Sequence, residues 1–129
     1  MSKQKNIPII VGVGQVVDHW DGLDPSQAPS PICLATQSIE RALADTSNSD
    51  LHNDMDTLAV VRAFTDSLSS PFDPFGKAMN FPAAIAQAAE IKPQQIIYSP
   101  AGGEQPQSLV NELSTAIANG DIRTAMIVG

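Results

Sequence analysis

Cysteine, histidine, aromatic and basic residues are all scarce in this 129-residue chain. A single cysteine, Cys33, forbids an intrachain disulfide and a multi-cysteine zinc site. It also points to a reducing compartment, so a cytoplasmic location is expected. The two histidines, His19 and His52, lie in loop-like sequence and form no i, i+4 pair, so no metal is expected. Each reads as a solvated loop histidine. Seven Lys and Arg stand against fourteen Asp and Glu, a net charge of −7. Sequence-independent nucleic-acid affinity needs cations that neutralise phosphates, so no nucleic-acid partner is expected. No run of about 18 apolar residues is present to span a membrane. The stretch Ile7–Val11, interrupted by Pro8, is too short for a secretory apolar core.

What is present alternates between short β-branched runs and helical stripes. Ile9-Ile10-Val11-Gly12-Val13-Gly14 has no polar alternation and reads as a strand covered on both faces. A Pro- and Asp-rich loop follows, from Asp18 to Pro31. Ser30 and Pro31 open a helix whose apolar stripe is Ile32, Ala35, Ile39, Ala42 and Leu43, ending near Asp45. Ser47 to Asp54 is a mostly polar linker. Leu58–Val61 is a second strand, and Thr65–Phe81 is the longest irregular stretch, of a length usually functional or mobile. A helix from Pro82 is closed by Lys92-Pro93, with Asn80 available upstream as a cap. Ile96–Ser99 is a third strand, Pro106–Asn119 a third helix ended by Gly120, and Ala125–Val128 a fourth strand. The order β-α-β-α-β-α-β predicts an α/β fold with a largely parallel sheet and helices on its faces. Because the chain stops directly after an apolar strand, it reads as a piece of a longer chain.

Several positions invite chemistry. Gly12-Val13-Gly14 after a strand resembles the start of a dinucleotide fingerprint, but Val17 stands where the third glycine belongs and a Pro-rich loop replaces the helix. The glycines are therefore read as turn residues. Cys33 lies in the first turn of a helix, where the dipole lowers a thiol pKa, yet its neighbours Ile32 and Leu34 favour a core or near-core position. Asp18, Asp21, Asp24, Asp66 and Asp73 are spread over two loops and read as solvated turn residues. Ser99 to Pro106 is the most informative segment. A strand end, two glycines and a helix start can aim backbone N–H groups at a ligand or a developing oxyanion, and an ordinary strand-to-helix turn would use the same residues.

Three stretches, in their order and spacing, resemble the N-terminal half of a thiolase-superfamily protein of the acetyl-CoA acetyltransferase type. Pro8–Gly14 resembles the opening strand, Asn80–Ala86 the Asn-Pro helix start, and Ser114–Gly129 the helix–Gly–acidic–strand stretch. The resemblance implies an N-terminal thiolase-like domain over residues 1–129, with half of the thiolase-like architecture. It places the family's nucleophilic cysteine at Gly103, so no catalytic residue is assigned, and it makes Gly102, Gly103, Glu104 and Gln105 the substrate-binding candidates. Covalent acyl transfer needs a thiol there, and Cys33 lies on another helix. The implied role is a thiolase-like protein of acyl-CoA metabolism and lipid metabolism without thiolase activity in this chain. A CoA thioester would be its substrate and no cofactor is implied. The alternative is a non-catalytic or lyase-like (retro-aldol) subunit working with a thiolase-like or OB-fold partner. The implied assembly is a homo-oligomer or such a partner complex.

Overall fold

The computed structural model of the chain describes residues 6–67 and 73–129. Two of the α-helices among the described residues open where the sequence supplies a cap. Helix α1, Pro31–Asp45, has Ser30 as its cap, with the Ser30 hydroxyl accepting from the Cys33 N–H, and Pro31 in the first turn where no N–H is needed. Helix α2, Phe81–Ala88, is capped by Asn80, whose side-chain oxygen accepts from the Ala83 N–H at 3.1 Å. Helix α3, Gln105–Asn119, has no side-chain cap at its start and ends at Gly120, whose φ of 80° is the left-handed conformation that glycine adopts without penalty.

Strands β1 (Thr57–Val60), β2 (Gln95–Tyr98) and β3 (Ala125–Val128) form a parallel sheet in the order β2-β1-β3. Leu58 lies opposite Ile96 on one side and Met126 on the other. Alternation then sorts the side chains into two cores. Leu58, Val60 and Val128 pack with Ile39 of α1, with Ile85 and Ala86 of α2 and with Ala89 just after it. Ala59 packs on the other face with Leu109 and Leu113 of α3. The result is helix, sheet and helix in three layers, the α/β arrangement with a parallel sheet that the sequence predicts.

The expected first strand is a correction. Ile9–Gly14 joins no sheet among the described residues, and Ile9, Ile10 and Val11 are 73%, 85% and 55% exposed. The β-α-β-α-β-α-β order therefore becomes a three-stranded sheet preceded by an extended segment that lies along α1. The Val13 N–H donates to Asp45 Oδ2 at 2.9 Å, and Arg41 donates to the Gln15 carbonyl at 2.6 Å. A Cβ on Gly12 would run into the Ala42 carbonyl and the Thr46 side chain, and one on Gly14 into the Ser38 carbonyl and the Ala42 amide. These glycines exist for close approach to a helix, not for a turn. A β-branched run specifies an extended backbone but not the neighbour that would make it a strand.

Three smaller expectations also change. Cys33 is exposed, because it is rotated away from the inward stripe of Ile32, Ala35, Ile39 and Leu43. Its sulfur accepts from Gln37 Nε2 at 3.1 Å. His52 is half-buried within a 3-10 turn, Ser49–His52, in the linker expected to be irregular, and its Nε2–H donates to the Ala89 carbonyl at 3.1 Å. Helix α2 ends at Ala88 instead of at Lys92-Pro93, since Glu90 takes φ 55° and the Ile91 N–H closes back on the Ala86 carbonyl. The expected loop Thr65–Phe81 falls partly outside the described residues, at 68–72. Its first residues belong to a 3-10 turn, Phe64–Ser67.

The two kinds of apolar run respond differently to truncation. Leu58→Ala, at a fully buried site, costs about 2–5 kcal/mol in urea unfolding. Ile10→Ala stays within about 0.5 kcal/mol. Gly14→Ala costs about 1–3 kcal/mol because the added methyl meets helix backbone.

Candidate functional site

Parallel strands joined by helical crossovers send every strand exit to the same edge of the sheet, where ligands of such folds bind. Here the exits are the segment from Val61 after β1 and the turn from Ser99 after β2, and the first turns of α2 and α3 return from that edge. The loop before α1 joins them: the Trp20 and Phe75 rings meet edge to face at 5.6 Å. The indole N–H of Trp20 is held by the Asp24 carbonyl at 3.0 Å.

A buried polar group at this edge ties the β1 and β2 exits together. Ser99 is 1% exposed. Its hydroxyl accepts from the Arg62 N–H at 2.9 Å and donates to the Pro100 carbonyl at 2.9 Å, so both of its capacities are used and it is not free to act as a nucleophile. Arg62 Nε donates to the Ser99 carbonyl at 3.1 Å, and the guanidinium lies 4.3 Å above the Tyr98 ring. Tyr98 in turn donates to Asp66 Oδ2 at 2.7 Å, and Lys77 Nζ stands 3.9 Å from Asp66 Oδ1. Burial, with the hydrogen bond to Asp66 second, pushes the Tyr98 phenol up to about 12. Asp66 is thus a correction to the solvated-turn reading, whereas Asp21, Asp24 and Asp73 each accept from a backbone N–H two residues on, as turn residues do. The Asp24 carboxyl is held below its usual range by the Ser26 hydroxyl and N–H. Sequence reading missed the Arg62–Tyr98–Asp66–Lys77 cluster, because its members come from the exits of two different strands and the approach to α2.

The residues singled out from sequence lie at the start of α3, which returns from the same strand-exit edge. Gly102, Gly103 and Glu104 are exposed in the turn and Gln105 is half-buried at the first helical position. A Cβ placed on Gly103 would meet nothing within 4 Å. The Glu104 carboxylate folds over Gly102, at 2.5–2.8 Å from a Cβ built there. Its own backbone N–H and the Gln105 amide keep it below the usual carboxylate range. Cys33 belongs to α1 in the other helical layer, His19 is an exposed loop residue, and His52 precedes β1 at the opposite edge; the fold does not bring these three together.

A large hollow lies elsewhere. A groove of about 820 Å³ runs between the extended segment from Ile9, helix α1 and the open side of β3, lined mainly by aliphatic residues such as Ile10, Leu34, Leu43, Met126 and Val128. It holds one charged side chain, Arg62, at its end. Its apolar lining marks it as an uncovered core face, not as the place of polar chemistry.

No protein-family model matches the chain, and no curated protein matches it. A solved structure does. A monomeric SCP2-thiolase-like protein type 1 from Mycobacterium smegmatis superposes with a TM-score of 0.72 and 28% identity over 98% of this chain. The chain spans 24% of that protein's length. The fold is accordingly a thiolase-like half-fold. Among the described residues, no helix is long and apolar enough to cross a membrane.

Tyr98 is the sole tyrosine, so ultraviolet titration of phenolate reads it without overlap. The folded chain titrates near 12, and Asp66→Asn moves the midpoint down toward 10. Because the unfolded phenol ionises first, the stability this group contributes is fully present below about pH 10 and is lost as the pH rises through 12. A midpoint at 10 in the wild-type chain contradicts the buried Tyr98–Asp66 contact.

Proposed function

We propose that this chain is a thiolase-like module that receives acyl-CoA thioesters at the strand-exit edge of its sheet and does not carry out covalent thiolase acyl transfer. The observation that carries the reading is the start of α3. Gly103 stands where the thiolase resemblance places the nucleophile, with open space around it. A thiolase forms an acyl-cysteine and so needs a thiolate at that point. Cys33, exposed on α1 in the opposite layer, does not supply one. What remains at Gly102–Gln105 is a helix start with no side-chain cap. There the Glu104 N–H turns to its own carboxylate and the Gln105 N–H to the Gly102 carbonyl, so that the N–H groups of Gly102 and Gly103 are the ones suited to a thioester carbonyl and the negative charge it develops.

A second reading is favoured by the exposed apolar surface. Ile7, Ile9, Ile10, Val13 and Val17 are each more than 60% exposed, and β3 leaves one side of the sheet open. Such surfaces belong to a module that works in an assembly, as a self-associating chain or as a lyase-like subunit with a protein partner. Retro-aldol cleavage fits this reading chemically. A base takes the proton of a β-hydroxyl, the Cα–Cβ bond breaks, and the electron pair is held as the thioester enolate until a proton returns to Cα. An oxyanion donor and a base suffice, without a thiol. The half-buried carboxylate at this edge, Asp66, is already engaged by Tyr98 and Lys77 and is not assigned as that base.

Mass spectrometry after exposure to acetyl-CoA separates these ideas. The wild-type chain and Gly103→Cys both show no acetyl adduct, the second because no base is present to generate the thiolate, and the variant melts within about 2 °C of the parent since the new side chain clashes with nothing. An adduct at position 103, or thiolysis surviving Cys33→Ala, refutes the non-covalent reading. For the assembly, sedimentation velocity at moderate concentration should show self-association. A monodisperse monomer that also fails to cleave β-hydroxyacyl-CoA speaks against the second reading.

A further inference from the structure

We propose that Arg62 and Lys77 form a recognition site for an oxyanion group, a carboxylate or a phosphate, carried by the ligand that enters the strand-exit edge. This deepens the acyl-thioester reading and rests on it for the remainder of the ligand.

The described loops at this edge, residues 15–30, 61–67, 73–80 and 99–104, carry six acidic residues: Asp18, Asp21, Asp24, Asp66, Asp73 and Glu104. They carry two cations of the Lys and Arg type, Arg62 and Lys77. Scattered cations in so acidic a rim would be neutralised piecemeal. Instead Lys77 pairs with one half-buried carboxylate, Asp66, whose side chain is 18% exposed, and Arg62 stacks on the Tyr98 ring whose hydroxyl donates to that same carboxylate. Asp66 does not need two cations. It already accepts a 2.7 Å hydrogen bond from Tyr98, and Lys77 at 3.9 Å gives it an ion pair. The phenol stays neutral over the ordinary pH range. The Arg62–Tyr98–Asp66–Lys77 cluster therefore carries one formal positive charge in excess.

That excess charge is held in position. The Ser99 carbonyl fixes Arg62 Nε, the Tyr98 ring fixes the guanidinium plane, and the Arg62 N–H is locked to the fully buried Ser99 hydroxyl. A fork fixed at Nε and on one face is pre-oriented for planar oxyanions, and little further rotamer entropy is lost on binding. Ser99 is four residues from Gly103, so the two are separated by at most about 14 Å. An anion at Arg62 and a thioester at α3 thus fit within one ligand. Acidic surroundings sharpen the selectivity, since a ligand whose negative charge missed this point would face repulsion elsewhere on the rim.

Calorimetry on the 129-residue chain at low salt, with nuclear magnetic resonance of the Arg62 Nε–H, uses four probes: butyryl-CoA, S-succinyl-N-acetylcysteamine, S-butyryl-N-acetylcysteamine and inorganic pyrophosphate. At least one anionic thioester binds tenfold or more tightly than the neutral butyryl compound and shifts the Arg62 resonance. A preference confined to butyryl-CoA identifies the phosphate as the anion, and one confined to the succinyl compound identifies the acyl carboxylate. R62Q/K77Q brings all thioesters level. K77Q alone, which leaves the Ser99 lock intact, weakens the preferred anionic probe about threefold with an unchanged Tyr98 titration. An anion preference that survives both variants overturns the site. Equal binding of all three thioesters overturns the site and leaves the acyl-thioester reading in place. Pyrophosphate binding that R62Q/K77Q abolishes, with no thioester bound, overturns that reading and keeps the site. Binding of none of the four overturns both.

Discussion

Strand β1 is the constraint from which the rest of the molecule follows. It is paired in parallel on both sides, and all four of its residues are buried. Parallel neighbours cannot be joined by tight turns, so each connection must cross the sheet as a helix, and α2 and α3 land on opposite faces. Both ends of β1 are clasped. At its start, the Asp56 carboxylate accepts from the Arg123 and Thr124 N–H groups, while the Asp56 N–H donates to the Thr124 hydroxyl. At its exit, Arg62 is locked to Ser99. A one-residue slip would exchange Leu58 and Val60 with Thr57 and Ala59 and empty the larger core.

The same constraint concentrates function at one edge. With three strands running the same way, the exits of β1 and β2 meet beside the first turn of α3, and polar side chains that are far apart in sequence become neighbours. The apolar groove beside β3 has the opposite origin. It is where the sheet has no further neighbour and where the extended Ile9–Gly14 segment rests on α1. This apolar hollow is a matter of packing, and the charged edge is a matter of recognition.

How far the sequence could be read depended on the range of the interaction involved. Helix α1 was legible because Ser30, Pro31 and the stripe through Ile39 act within a few residues of one another. Gly120 marked the end of α3 for the same reason. The candidate turn Gly102–Gln105 was legible as a strand-to-helix junction, and the structure places it at the strand-exit edge. The Arg62–Tyr98–Asp66–Lys77 cluster was not legible, since Arg62 and Tyr98 are brought together only by the register that sets Val60 opposite Tyr98. Cys33 was misplaced because its neighbours in sequence are apolar while its direction around the helix is outward.

By itself, the sequence determined what local forces decide: the caps, the helical stripes, the extended runs, the acidic balance and the absence of a thiol at position 103. Tertiary structure decided which extended runs pair, and that choice turns on partners tens of residues away. Ile9–Gly14 and Ala125–Val128 look alike as strings of β-branched and aliphatic residues. One lies against a helix with its side chains in solvent and the other pairs with the central strand, because backbone hydrogen-bonding groups find partners through the global arrangement of the chain and not through the residues that carry them.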